Sequence, residues 1–301
     1  MVPIEIKGFD PNRLEELAKE QTEIYNAATA KLPDTSPAKV EDVIARFKRE
    51  TFDQSRMFYA YEGDRMIAYA GLTGRNKEQN LRGAGYPWLT EGTDSSVRDL
   101  LYEAMEKKCR DEGTELLRVY GSPDFPEQLE FFKTKGFEII HEFLVYEKVL
   151  EKNEYELPAG YTFRPLKRED LPVLEKVSRS DPKMKSPFVA SDWEQFMDSN
   201  NYNPDANVVA EKNGAVVGFY AFFIPPEPER KKAYFAGVAV LGDNQEIEPL
   251  LFKELENRAL AQGKEKIDIT FYPDSPRLPF AKEIGFTQYS HNYQLNKKLE
   301  D

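Results

Sequence analysis

Leu100 to Phe137 reads LLYEAMEKKCRDEGTELLRVYGSPDFPEQLEFFKTKGF, and Leu250 to Phe286, LLFKELENRALAQGKEKIDITFYPDSPRLPFAKEIGF, echoes it. Leu101 falls on Leu251, Met105 on Leu255, Cys109 on Ala259, Gly113 on Gly263, Pro123 on Pro273 and Asp124 on Asp274, at a constant spacing of 150 residues (263 − 113). After one deleted residue, Gly136-Phe137 meets Gly285-Phe286. Apolar residues at i, i+4 and i+8 predict a helix with one buried stripe in each copy. Gly113 and Gly263 stand where a helix C-terminus favours positive φ. Leu117 and Val119, and Ile267 and Ile269, alternate as in short strands. A Pro-Asp turn and a second helix carrying Leu129 and Phe132 follow. A repeat of this size predicts two like domains rather than a short-period solenoid.

Working outward, Ile4 and Ile6 predict a first strand, and Asp10-Pro11 opens a helix with Leu14, Leu17, Ile24 and Tyr25 on one face. The loop from Leu32 to Ala38 leads to a helix through Val43, Ile44 and Phe47. A hairpin follows, Met57 to Tyr61 and Met66 to Leu72, turning at Glu62-Gly63-Asp64-Arg65. Gly74 to Gly83 reads as a polar loop and Tyr86 to Leu89 as a strand. Glu138 to Leu150 closes the first domain, residues 1–150, and Glu151 to Gly160 is the linker. The second domain, 161–301, repeats the order: a strand at Tyr161 to Pro165, helices at Asp170 to Val177 and near Asp192 to Met197, a hairpin from Asn207 to Pro225. A charged loop, Glu227 to Lys232, and a strand, Tyr234 to Leu241, complete it.

The 301 residues fit two domains, and an apolar fraction of 40% with 20 Phe and 16 Tyr supplies two cores. The formal charge of −12 disfavours phosphate backbones and anionic lipid, so neither nucleic acid nor membrane is an expected partner; a cationic amine is compatible with it. The N-terminal MVPIEIKGFDPN lacks a basic-then-apolar signal pattern, and the longest apolar stretch, Gly214 to Pro226, is too short to span a bilayer. A single cysteine excludes an internal disulfide, which makes the cytoplasm the expected compartment. Cys109 lies on an apolar stripe, where packing explains it better than nucleophilic chemistry. His141 and His291 stand alone on equivalent strands and suggest no metal site. Trp88 and Trp193 read as core or groove-lining residues.

The element order, with Phe163-Arg164-Pro165-Leu166, Glu169-Asp170-Leu171 and Gly218 in the second half and Leu100-Leu101 and Gly136-Phe137 in the first, resembles the GNAT superfamily of acyl-CoA-dependent N-acyltransferases. The resemblance covers nearly the whole chain as a tandem pair. It implies an α/β (α+β) fold of two domains, each a mixed, mostly antiparallel twisted sheet flanked by helices. It also implies acetyl-CoA as co-substrate and a small-molecule or peptide amine as acceptor.

The family holds the CoA pyrophosphate on a Q/R-x-x-G-x-G/A loop before the helix that here begins near Leu100. Backbone N–H groups and the helix N-terminus favour the anion there. Ser95 and Val97 occupy the glycine positions in the first domain, Gln245 and Ile247 in the second, so both loops depart from the pattern. In the first domain the resemblance assigns cofactor contacts to Trp88, Leu89, Thr93, Ser95, Ser96, Val97 and Arg98. The alternative is that this stretch only caps the helix, with Ser96 and Asp99 as a capping box. In the second, Asp243, Glu246 and Glu248 repel phosphate and Pro249 removes a donor, marking the more degenerate copy.

The family's usual proton-donating tyrosine falls on Phe132 and Ala281, neither of which can donate. Glu91 is the candidate base, with Tyr86 as a hydroxyl partner; an ordinary solvated acid is the alternative for Glu91. The expected function is acetyl transfer to an amine by the first domain. The alternative is a GNAT-like binding or scaffolding body without transfer, and aminoacyl transfer from tRNA is disfavoured by the charge.

Overall fold

The computed structural model describes residues 3–32, 35, 37–76, 80–184, 188–198, 202–225 and 230–299. The loops expected at 32–38, 74–83 and 227–232 therefore lie partly outside the described residues. The chain divides into two compact units, 1–142 with 290–301, and 143–289.

In unit 1, β1 (Ile4–Gly8), β2 (Met57–Glu62) and β3 (Arg65–Gly71) pair antiparallel, and β5 (Trp88–Leu89) joins β3 to complete a four-stranded sheet. Helix α1 (Leu14–Thr29) follows a turn in which the Asp10 carboxylate accepts from the Asn12 N–H at 2.9 Å, and α2 (Val40–Phe47) comes next. The two helices bury Leu17, Ile24, Val43 and Phe47 with Tyr59, Tyr61 and Tyr69 of the hairpin. Helix α3 (Ser96–Asp111) lays Leu101, Met105 and Cys109, all fully buried, on the other face of the sheet. It ends at Gly113 (φ +66°), where the Thr114 N–H reaches back to the Cys109 carbonyl at 2.8 Å. Burial pushes the Cys109 thiol up to about 11, in keeping with a packing role. Strand β4 (Leu81–Gly83), read from sequence as loop, pairs parallel with β6 (Leu116–Gly121), and α4 (Pro126–Thr134) follows.

Unit 2 repeats this order. Strands β8 (Tyr161–Pro165), β9 (Val208–Lys212), β10 (Ala215–Phe223) and β11 (Lys232–Val240) are antiparallel neighbours. Strand β12 (Lys266–Phe271) runs parallel to the start of β11. Helices α5 (Leu171–Ser180) and α6 (Ala190–Met197) precede the hairpin; α7 (Glu248–Ala261) and α8 (Leu278–Glu283) flank β12. No helix among the described residues is long and apolar enough to cross a membrane.

The last strands depart from the sequence boundaries at 150 and 161. Strand β7 (Glu138–Val149) was expected to close the first domain, yet its residues from Phe143 belong to unit 2, where Leu144–Val149 pair antiparallel with β12. Reciprocally, β13 (Thr287–Lys298) gives its residues from Ser290 to unit 1, where Tyr293–Lys298 pair with β6. Leu295 is fully buried there with Leu117, Val119 and Phe132. Alternation predicts a strand but not which sheet receives it.

A fragment of residues 1–150 therefore lacks the strand that covers β6, and is expected to bind a hydrophobic dye and to show poorly dispersed amide resonances. A cooperative fragment with native-like dispersion would overturn this account of the exchanged strands.

Candidate functional site

The sheet of unit 1 opens at one segment. Leu81–Gly83 pair with β6 and Trp88–Leu89 with β3, so residues 84–87 cross from one strand to the other. The Ala84 N–H donates to the Arg118 carbonyl at 2.9 Å and the Gly85 N–H to the Gly71 carbonyl at 2.8 Å, while Pro87 has no N–H to give. A side chain at Gly85 would bring a Cβ to 3.0 Å from the Gly71 oxygen, so this approach requires glycine.

Beside the crossing lies a cavity of about 820 Å³. Gln21, Thr22 and Tyr25 of α1, Val43 and Arg46 of α2, Tyr69 to Thr73, Leu81 to Trp88 in part, and Arg118 to Tyr120 line it, with Ala38, Phe52, Arg56 and Met57. Its walls are mostly apolar and aromatic. Trp88 meets Tyr25 and Tyr86 edge to face and stacks on Phe125, with ring centroids 5.9 Å apart in the last case. Two buried polar atoms of the lining, Gln21 Oε1 and the Tyr86 hydroxyl, have no hydrogen-bond partner among the described residues. Burial pushes the Tyr86 hydroxyl up to about 12, the Arg98 charge over its ring opposing, so it is a proton donor at neutral pH rather than a base. Among the described residues, the lining contains Arg46, Arg56 and Arg118 and no carboxylate.

The N-terminus of α3 adjoins β5. The Asp94 carboxylate accepts from the Ser96 N–H at 2.8 Å, so the cap is Asp94 and not the expected Ser96–Asp99 box; Asp99 pairs instead with Lys135. Ser95 is exposed and its side chain makes no cap bond, whereas Val97 and Leu89 are buried in the core. The Thr93 hydroxyl bonds that of Thr90 at 2.7 Å. Gly92 (φ +82°), Asp94 and Ser95 present N–H groups without partners among the described residues. Arg98 is held by Glu127 at 2.5 Å, its Nε unpartnered among the described residues. Glu91 sits exposed in the turn after β5, outside the cavity lining; Tyr86 and Trp88 are within it.

Unit 2 treats the equivalent space differently. At the 150-residue spacing, Ala38, Val43 and Arg46 correspond to Phe188, Trp193 and Phe196, and these three aromatics are buried with Phe219, Ala221 and Ala239. Trp193 lies so close to Gly237 that a Cβ there would come to 2.7 Å from its ring. The ion pair at the helix starts reappears with its charges exchanged: Arg98 and Glu127 become Glu248 and Arg277, 2.7 Å apart. This pair is buried and extended by Lys183, 2.6 Å from Glu248, and by Asp181, which binds Arg277 and accepts from the Val240 N–H at 2.7 Å.

The chain is similar over its length to a GCN5-related N-acetyltransferase from Sphaerobacter thermophilus, at 15% identity and TM-score 0.74, covering 100% of this chain and 98% of that one. It is similar likewise to a tandem GNAT protein from the clavulanic acid biosynthesis pathway, at 14% identity and TM-score 0.69, covering 99% and 100%. A glucosamine N-acetyltransferase region of a fungal β-N-acetylglucosaminidase matches at 12% identity and TM-score 0.65, covering 98% of this chain and 38% of that one. The fold is that of a tandem GNAT protein. No family model matches the chain, and no curated protein does so significantly.

Trp88, expected as core or groove-lining, and Tyr86, expected as a hydroxyl partner of Glu91, both line the cavity, and Glu91 does not. The sequence reading did not single out Gln21 of α1, Arg46 of α2, Arg56 in the turn before β2 or Arg118 of β6. It also missed the charge-exchanged pair, although the spacing of 150 applied to Arg98 and Glu127 finds it. Its metal expectation concerned two histidines, of which His291 bonds Glu142 through Nε2 at 2.7 Å. Among the described residues no group of three or more metal-binding side chains converges.

The two ion pairs differ in burial, and removing one partner should show it. Glu248→Ala leaves the buried Arg277 with Asp181 alone and removes the partner of the partly exposed Lys183, and is expected to cost about 3 kcal/mol. Glu127→Ala, at a half-exposed site, is expected to cost under about 1 kcal/mol. Urea unfolding of both variants checks this, and equal losses would refute the contrast.

Proposed function

We propose that unit 1 is an acyl-CoA-dependent N-acyltransferase domain that transfers an acetyl group to a small-molecule or peptide amine, and that unit 2 is a non-transferring copy. One observation carries this reading: unit 1 keeps an open cavity of about 820 Å³ at the strand crossing, and aromatics fill the counterpart in unit 2.

In the reaction the amine nitrogen's lone pair attacks the thioester carbonyl carbon. A C–N bond forms, the C–S bond breaks with its electrons on sulfur, the thiolate takes a proton and the nitrogen loses one. Three arginines, in a lining with no carboxylate among the described residues, disfavour the ammonium form, so the amine is held as the neutral nucleophile. Glu91 therefore has no required part in the chemistry. The Tyr86 hydroxyl, protonated and without a partner, supplies a donor to the oxyanion or the leaving sulfur. The free N–H groups of Gly92, Asp94 and Ser95 suit the co-substrate's phosphates, with Thr93, Ser96, Val97 and Arg98 forming the rest of that helix start.

A second reading, a GNAT-like binding body without transfer, is favoured by one feature. The Asp94 carboxylate and the Arg98–Glu127 pair already satisfy part of the α3 N-terminus.

Calorimetric titration with acetyl-CoA separates the two. One site per chain is expected, weakened about tenfold or more by Ser95→Glu, which puts like charge beside the phosphates. Tyr86→Phe is expected to leave that affinity unchanged and to lower turnover about tenfold to a hundredfold. Absence of heat and of thermal stabilisation up to millimolar acetyl-CoA would reject the transferase reading.

A further inference from the structure

The formal charge of the chain is −12, yet the cavity of unit 1 carries the opposite sign. Arg46 stands exposed on α2 and makes no ion pair among the described residues. Arg56 is half neutralised by Asp53, its Nε 2.8 Å from Oδ2. A smaller recess of about 150 Å³, sharing Arg46, Arg56 and Phe52 with the main cavity, adds Arg49, Thr51 and the Asp53 carboxylate, so three guanidinium groups face one acid there. Arg46 lines the cavity from α2, its guanidinium carbon 5.4 Å from the centroid of the Phe47 ring. Unit 2, whose space is filled, has Phe196 at the Arg46 position. The arginine and the open cavity occur in the same unit.

Deeper in, Gln21 is 4% exposed and its Oε1 lacks a partner among the described residues. A carboxamide oxygen buried in that way waits for a donor such as an amine N–H.

Building on the transferase reading of unit 1, we propose that its acceptor is an amine that also carries an anionic group, a carboxylate or a phosphate. Arg46, assisted by Arg56, holds the anion at the recess, and Gln21 receives the amine's N–H inside the cavity. A cationic amine, compatible with the overall charge, is disfavoured by this local field. Aromatic walls suit an apolar body between the two ends.

The test uses the full chain and two matched pairs of probes: 4-(2-aminoethyl)benzoate with phenethylamine, and tyramine O-phosphate with tyramine. Each is titrated calorimetrically with and without acetyl-CoA, against wild type, Arg46→Gln and Arg46→Lys. The anionic member of at least one pair is expected to bind about tenfold tighter than its partner, and the pair that does so tells carboxylate from phosphate. Arg46→Gln should abolish the preference and Arg46→Lys retain part of it, with acetyl-CoA affinity unchanged within about twofold. Equal binding within both pairs, or tighter binding of the anion-free members, overturns the proposal. So does an Arg46→Gln effect on acetyl-CoA instead of on the probes, which would assign the arginine to the co-substrate. If acetyl-CoA does not bind but the anion preference and its loss in Arg46→Gln persist, the transferase reading fails alone and the anion site stands.

Discussion

A single backbone segment cannot pair along its whole length with two strands that diverge, and in unit 1 the stretch from Leu81 to Leu89 has this task. Buried N–H and carbonyl groups must find partners, so the segment pairs with β6 at one end and β3 at the other. In between, Ala84 and Gly85 bond opposite sides and Pro87 has no N–H. The aromatic cluster of Tyr86, Trp88 and Phe125, the packing of α1 and α2, and the cavity all follow from the gap so opened. In unit 2 the corresponding strand, β11, is continuous from Lys232 to Val240. Gly237 stands where Pro87 does, and the ring of Trp193 takes up the room.

The two units solve one fold with opposite balances of stability and access. Burying Phe188, Trp193 and Phe196 stabilises unit 2 by about 1.5–3 kcal/mol for each ring. Unit 1 forgoes that with Ala38, Val43 and Arg46, and it also tolerates Gln21 Oε1 and the Tyr86 hydroxyl without partners, at about 1–3 kcal/mol apiece. A fold under selection for stability alone would fill such a space, as unit 2 does. An open, partly polar cavity in one copy, set against a filled space among the described residues of the other, supports the ligand site proposed for unit 1.

The repeat made the fold legible because helix stripes such as Leu101, Met105 and Cys109 depend on local periodicity alone. Three things did not follow from it. The destination of β7 and β13 is a tertiary choice, invisible in alternation that reads the same whichever sheet accepts the strand. The cap of α3 went to Asp94 because its carboxylate reaches the Ser96 N–H, while Asp99 was drawn to Lys135. Nothing in the local pattern marks Arg46, an exposed residue of α2, and it is the fold that sets it in the lining of the cavity.

The exchanged ion pair sets the two helix starts apart as places for an anion. Arg98 lies in the first turn of α3 and Glu127 in that of α4; in unit 2 Glu248 opens α7 and Arg277 precedes α8. Either arrangement sets one carboxylate favourably and one guanidinium unfavourably against the positive ends of two helices, so the signs exchange at little net electrostatic cost. The consequence for a bound anion is not symmetric. At α7 the first turn carries a buried carboxylate, fixed by Lys183 and Arg277, and Pro249 lacks an N–H. At α3 the first turn carries a guanidinium whose partner, Glu127, is more than half exposed and can yield it to a competing anion. At the helix start of unit 1 a phosphate would displace two exposed carboxylates, Glu127 from Arg98 and Asp94 from the Ser96 N–H. At that of unit 2 it would have to break a buried network of four charges.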